Sequence, residues 1–165
     1  MIGLTYKEMM ALKPCPEQAK AVTKLLGGAK TWNGKKISAR EAVKAGVSYS
    51  DLVWAASTQA RNDKDVERRL RLWLADCAAH VLHIYEKDYP KDRRPRDAIV
   101  AGRAYARGET TDAASAAAWD AASDARDAAW GAAWAAARDA EEKWQLDRLV
   151  LWLSDKEPTD WNPKP

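Results

Sequence analysis

The chain has 165 residues, of which 47% are apolar and 31% charged, so it is expected to fold as one domain or a domain with a small appendage. Its uncharged runs fall far short of the ~20 apolar residues of a membrane span, and MIGLTYKEMM at the N-terminus lacks the basic and apolar regions of a signal peptide. Two cysteines, Cys15 and Cys77, rule out a disulfide scaffold, so a cytoplasmic protein is expected. The net charge of +3 is unevenly placed. Residues 1–62 hold ten Lys/Arg against four Asp/Glu, residues 63–109 eleven against nine, and residues 110–165 six against eleven. Such an imbalance either draws segments together within the fold or offers a basic face to an anionic partner.

In chain order, Thr5-x-x-Glu8 is a capping box that opens a helix over Tyr6–Leu12, and Pro14 ends it. Pro16 suits a first helical turn, so Pro16–Leu26 reads as a second helix, stopped by Gly27-Gly28. Thr31 to Ile37 contains Asn33-Gly34, the signal for a tight two-residue turn, and predicts one short β-hairpin. Ser38-x-x-Glu41 repeats the capping box and opens a helix that ends at Gly46; another runs from Tyr49 or Ser50 to about Ala60. Residues 61–64 form a polar joint, the expected boundary between a basic N-terminal helical module (1–62) and a helical bundle (63–157).

The bundle opens with a long helix, Asp65–Tyr89, in which Leu70, Trp73, Leu74, Cys77, Val81, Ile84 and Tyr85 recur at three- and four-residue steps. Pro90 closes it. Pro95 begins a helix over Arg96–Arg107, stopped by Gly108. Sixteen of the 28 residues from Ala113 to Ala140 are Ala, and Trp119, Trp130, Trp134, Trp144 and Trp152 keep one helical face. A straight helix over 112–153 would be about 63 Å long, so a bend at Gly131 or at Asp139-x-x-Glu142 is expected. Residues 158–165, with three prolines, read as an extended tail. The fold class is therefore all-α: a helical bundle with a long Ala/Trp-rich C-terminal region and a small N-terminal helical module with room for one β-hairpin.

Few residues suggest chemistry. Cys77-x-x-His80-x-x-His83 holds metal-ligand types, but steps of three rotate the side chains apart and no second segment supplies a partner pair, so no metal site is expected. Cys77 and His80 lack an oxyanion donor and an orienting third residue. No phosphate-cradling loop, nucleophile elbow or zinc-protease helix occurs, and neither an enzyme nor a cofactor is expected. Arg93, Arg94 and Arg96 surround Pro95. They either pin the loop to Asp76, Glu86 or Asp88 of the preceding helix or contact an anionic partner. Trp119, Arg126 and Trp130 share a face that reads as core.

The pattern Trp73-x-x-Asp-Cys-Ala-x-His80-Val-Leu-x-x-Tyr-Glu-Lys-x-Tyr-Pro90, followed by Asp92-x-Arg-Pro-Arg96-x-Ala-Ile99-x-Ala-x-Arg103, resembles the immunity proteins with an immunity-5-like domain. The Ala-rich tract ending Glu-Lys-Trp-Gln145-x-x-Arg-Leu149 extends the resemblance to about residues 66–153. Residues 4–56 look like the small N-terminal modules of phage-encoded proteins. The resemblance implies an all-helical protein of bacterial or phage origin that neutralises a toxin, or a host defence complex such as a CRISPR effector, by binding it. It implies no catalytic residue. His80, Asp92, Arg94 and Arg96 match its pattern and are expected to determine the fold, with Trp73, Cys77, His80 and Asp92 forming one structural joint.

Two functions follow as expectations. The first is a non-enzymatic, protein-binding inhibitor whose partner contacts include Arg93, Arg94 and Arg96. The second is nucleic-acid binding through the basic module, in which Lys7, Lys13, Lys20, Lys24, Lys30, Lys35, Lys36, Arg40 and Lys44 form one basic surface, with Trp32 at the hairpin tip for stacking.

Overall fold

The computed structural model describes residues 2–110, 138–154 and 157–159. Among them are eight helices and a single two-stranded sheet: β1 (Gly3–Leu4), α1 (Tyr6–Ala11), α2 (Pro16–Leu25), α3 (Ala29–Trp32), β2 (Ile37–Ser38), α4 (Ala39–Lys44), α5 (Tyr49–Ala60), α6 (Lys64–Asp88), α7 (Arg94–Ala106) and α8 (Arg138–Trp152). The described residues are thus all-α apart from one small ladder. Trp119, Arg126, Trp130, Gly131 and Trp134, with the expected bend, lie outside the described residues.

The chain divides into two compact units, Met1–Leu70 with Leu146–Pro158, and Arg71–Gln145 with Thr159–Pro165. The division falls within α6 rather than at the polar joint 61–64. The reason lies in the first turns of that helix. Val66 is fully buried and Leu70 nearly so, Arg68 pairs with Glu157, and Arg69 donates to the carbonyls of Trp152 and Ser154 at 2.9 and 2.8 Å. These ties hold the start of α6 and the end of α8 in the first unit.

The first unit is built from two halves 33 residues apart. Antiparallel β1 and β2 pair Leu4 with Ile37, and each strand runs directly into a capping box, Thr5/Glu8 for α1 and Ser38/Glu41 for α4. Both helices have six residues. Each is followed by a residue with positive φ, Lys13 (59°) and Gly46 (91°). The next helix opens in both halves with a side-chain contact from N-cap to N3, Cys15 to Gln18 and Ser48 to Asp51. The two halves thus repeat one β–α–α unit, and Leu4 faces its own counterpart, as a local two-fold requires.

The expected hairpin over 31–37 does not form. Trp32 ends the short helix α3, and Asn33 (φ −60°, ψ 127°) with Gly34 (φ 76°) makes a turn closed by the Lys35 N–H donating to the Trp32 carbonyl at 3.1 Å. Only the second central residue has positive φ, the signature of a type II turn, whereas a tight hairpin turn of the Asn-Gly kind needs it at both. Ile37–Ser38 therefore pairs with the N-terminal strand instead. Trp32 is no hairpin tip: it is 3% exposed, and its indole N–H donates to the Leu4 carbonyl at 2.9 Å.

In the second unit α6 and α7 are antiparallel, because Glu86 meets Arg96 near the turn and Asp76 meets Arg103 farther along. Ala75 and Leu82 of α6 bury against Ile99 of α7, flanked by Ala78 and Ala79. Small side chains there let the helices approach closely. α7 starts at Arg94, two residues earlier than predicted, because Pro95 is accommodated in its first turn.

Candidate functional site

The turn between α6 and α7 is held by two arginine–carboxylate forks. Arg94 donates through Nε to Asp92 Oδ1 at 2.9 Å and through Nη2 to Oδ2 at 2.6 Å, and its main-chain N–H adds a bond of 3.0 Å. The Tyr85 hydroxyl donates to the same carboxylate at 2.8 Å. The Arg94 guanidinium first, then Tyr85, hold the Asp92 carboxyl well below its ordinary range. The accepting Asp92 in turn pushes the Tyr85 hydroxyl up. Arg96 makes the second fork, to both oxygens of Glu86 at 2.9 and 2.8 Å, and that carboxylate raises its own basicity. Arg93 is exposed, 3.7 Å from Asp97. Each fork matches the planar guanidinium to a planar carboxylate.

A second set of ties joins α6 to α8. The buried Trp73 indole donates to the Gln145 carbonyl at 3.0 Å. Two turns along, His80 Nδ1 lies 2.8 Å from Glu141 Oε2, and the imidazole stacks face to face on Trp144 with centroids 3.7 Å apart and planes 4° from parallel. Glu141 also accepts from the Gln145 amide at 3.0 Å. Between these, Arg103 of α7 and Asp76 of α6 form an ion pair with side chains 2% and 1% exposed, and the Arg71 guanidinium lies 4.7 Å over the Tyr105 ring. Trp73, His80 and Asp92 thus each serve a different tie. Cys77 is half-buried.

No reaction centre emerges from these contacts. The polar groups named above bond one another. Among the described residues no group of three His, Cys, Asp or Glu is placed to hold a metal ion. His83 Nδ1 is occupied by the His80 carbonyl at 3.0 Å. No described helix is long and apolar enough to cross a membrane.

Of the residues expected to meet a partner, Lys30, Lys35, Lys36, Arg93 and Arg94 are exposed. Lys35 pairs with Glu41 and Lys36 with Glu8. Arg96 is half-buried on Glu86, and Trp32 is core. The lysines lie in the first unit and the arginines in the second. Sequence reasoning missed the Asp76–Arg103 pair and the His80–Glu141 contact. The first had a weak signal: Arg103 falls on the apolar stripe of its helix, four residues after Ile99.

Residues 61–142 match the family model described as Imm-5 like putative immunity protein. No curated protein and no solved structure matches the chain.

Proposed function

From the Imm-5 like segment over residues 61–142, we propose that this protein is a bacterial or phage immunity protein that neutralises a toxic protein by binding it directly, in the cytoplasm and without catalysis. The family match is the observation that carries the reading. The internal commitment of Asp76, Glu86, Asp92 and Glu141 supports it, because a rigid scaffold with its buried charges paired can present a fixed face to a partner. The exposed part of the α6–α7 turn, Arg93 with the outer edge of Arg94, is where a partner carboxylate would be met.

The test is co-expression of the full chain with the toxin encoded beside its gene. Restored growth with a stable complex on size-exclusion chromatography is the expected outcome. Protection without a complex, or no protection from any neighbouring gene product, would overturn the reading.

A further inference from the structure

Beside the immunity reading, and outside the Imm-5 like segment, the first unit carries a surface that no comparison accounts for. Between its two halves lies an open cavity of about 90 Å³ whose wall is mostly apolar. The halves line it with counterpart residues, among them Met9 and Ala42, Pro14 and Val47, Ala19 and Leu52. Its one charged wall residue is Asp51, whose carboxylate accepts from the Ser48 hydroxyl; no Lys or Arg lines it. A mostly apolar, solvent-open hollow of this kind takes one large apolar group more readily than it takes ordered water, which needs several polar partners.

The charge of residues 1–62, which hold both halves, is one-sided: ten Lys and Arg against four Asp and Glu. All ten Lys and Arg of residues 1–62 are exposed, and eight of them, all but Lys35 and Lys36, have no side-chain partner among the described residues. Of the four carboxylates, Glu8 and Glu41 are held by capping boxes and lysines, and Asp51 is held by Ser48. Lys13, Lys20 and Arg40 each adjoin a cavity-lining residue in the chain (Pro14, Ala19 and Ala39). A nucleic acid would want exposed rings for stacking. Here Trp32 is buried, while Tyr6, Tyr49 and Trp54 are half-buried, with Trp54 forming part of the cavity wall.

We infer that this cavity is the docking site for an acidic protein segment that inserts one large apolar side chain between the two halves while its carboxylates meet the surrounding cations. Apolar anchors seated in pockets carry most of the affinity of such contacts. The peripheral charges add steering and sensitivity to salt.

The experiment titrates the isotopically labelled full-length protein, followed by NMR, with the peptide Ac-Glu-Glu-Trp-Glu-Glu-NH2, its Trp→Ala form, a Lys-flanked Trp form and a short DNA duplex. Saturable shifts at Val22 and Ala55 with the acidic Trp peptide, at least tenfold weaker with the Ala or Lys forms, are expected. Ala55→Leu should abolish them by filling the cavity, with circular dichroism confirming the fold; Ala55→Met gives a second, more adaptable filling. Lys13→Glu with Lys20→Glu should weaken binding about tenfold. No saturable binding at millimolar peptide, binding indifferent to cavity filling, or tighter binding of the duplex than of the peptide would each overturn the inference. None of these outcomes bears on toxin neutralisation, so the two readings fail separately.

Discussion

Arg103 and Asp76 face each other across α6 and α7 as an ion pair withdrawn almost wholly from water. Asp76→Ala should therefore lower stability in urea unfolding by about 3–5 kcal/mol, since it strands a buried guanidinium. Replacing both, as Asp76→Leu with Arg103→Met, should recover most of that loss, because an apolar pair of similar volume needs no compensation. A double variant as unstable as the single one would show that packing around the pair, and not its charge, decides the cost.

The fork between Arg96 and Glu86 is a quarter exposed on each side chain. Water screens it, so Arg96→Ala should cost only about 1 kcal/mol. Differential scanning calorimetry would register a fall of about 2–4 °C for a chain of this size. A loss near that of Asp76→Ala would mean the fork is as dry as the inner pair.

Lys13 and Gly46 occupy the same place in the two halves of the first unit, both with positive φ. A Cβ is disfavoured in that region by about 1–2 kcal/mol. Lys13→Gly should therefore stabilise the protein, by up to about 1 kcal/mol once the added freedom of the unfolded chain is subtracted. Gly46→Lys should destabilise it by a similar amount. Equal signs for the two substitutions in thermal unfolding would break the equivalence of the halves.

Acid should unfold the chain through carboxylates held low in the fold. The backbone N–H of Ser38 first, then its hydroxyl and Lys35, bring the Glu41 carboxyl from 4.5 to about 2. Glu8 is lowered by the Thr5 backbone N–H, and Glu157 by Arg68. Burial pushes Asp65 up, but Arg68 and Arg69 outweigh it. Each such group is protonated first in the unfolded chain. For Glu41 the contribution is complete above about pH 4.5 and is lost as pH falls towards about 2; the other three lose theirs in the same direction. Urea midpoints measured from pH 6 to 2 should decline over that window, less steeply in Glu41→Gln. A flat profile would show that these bonds do not persist in solution.

Local signals in the sequence were well resolved. Both capping boxes, the Gly27-Gly28 stop and the periodic apolar stripe of α6 each depend on residues within a turn or two. Long-range partners were not. A two-residue strand such as Gly3–Leu4 has no alternation to detect, so Asn33-Gly34 drew Ile37 into a hairpin that never forms. Arg103 reads as a surface residue until a carboxylate on another helix is placed against it. The repeat was visible as Leu-Thr-x-x-Glu and Ile-Ser-x-x-Glu, yet five positions 33 residues apart are a faint pattern until the ladder aligns them. At the α6–α7 turn the arginines and their carboxylates lie close in sequence, so the pairing of Arg96 with Glu86 was legible. The His80–Trp144 stack, spanning more than sixty residues, was not.

The pairing of Leu4 with Ile37 joins two similar halves within a single polypeptide. Separate halves would have to find each other by diffusion, each with a bare strand edge open to other chains. The short connection between α2 and β2, residues 26–36, instead keeps one half near the other at an effective concentration in the millimolar range, as a short linker does. Closure of this unit is then a first-order event, and its midpoint of unfolding should not move on dilution.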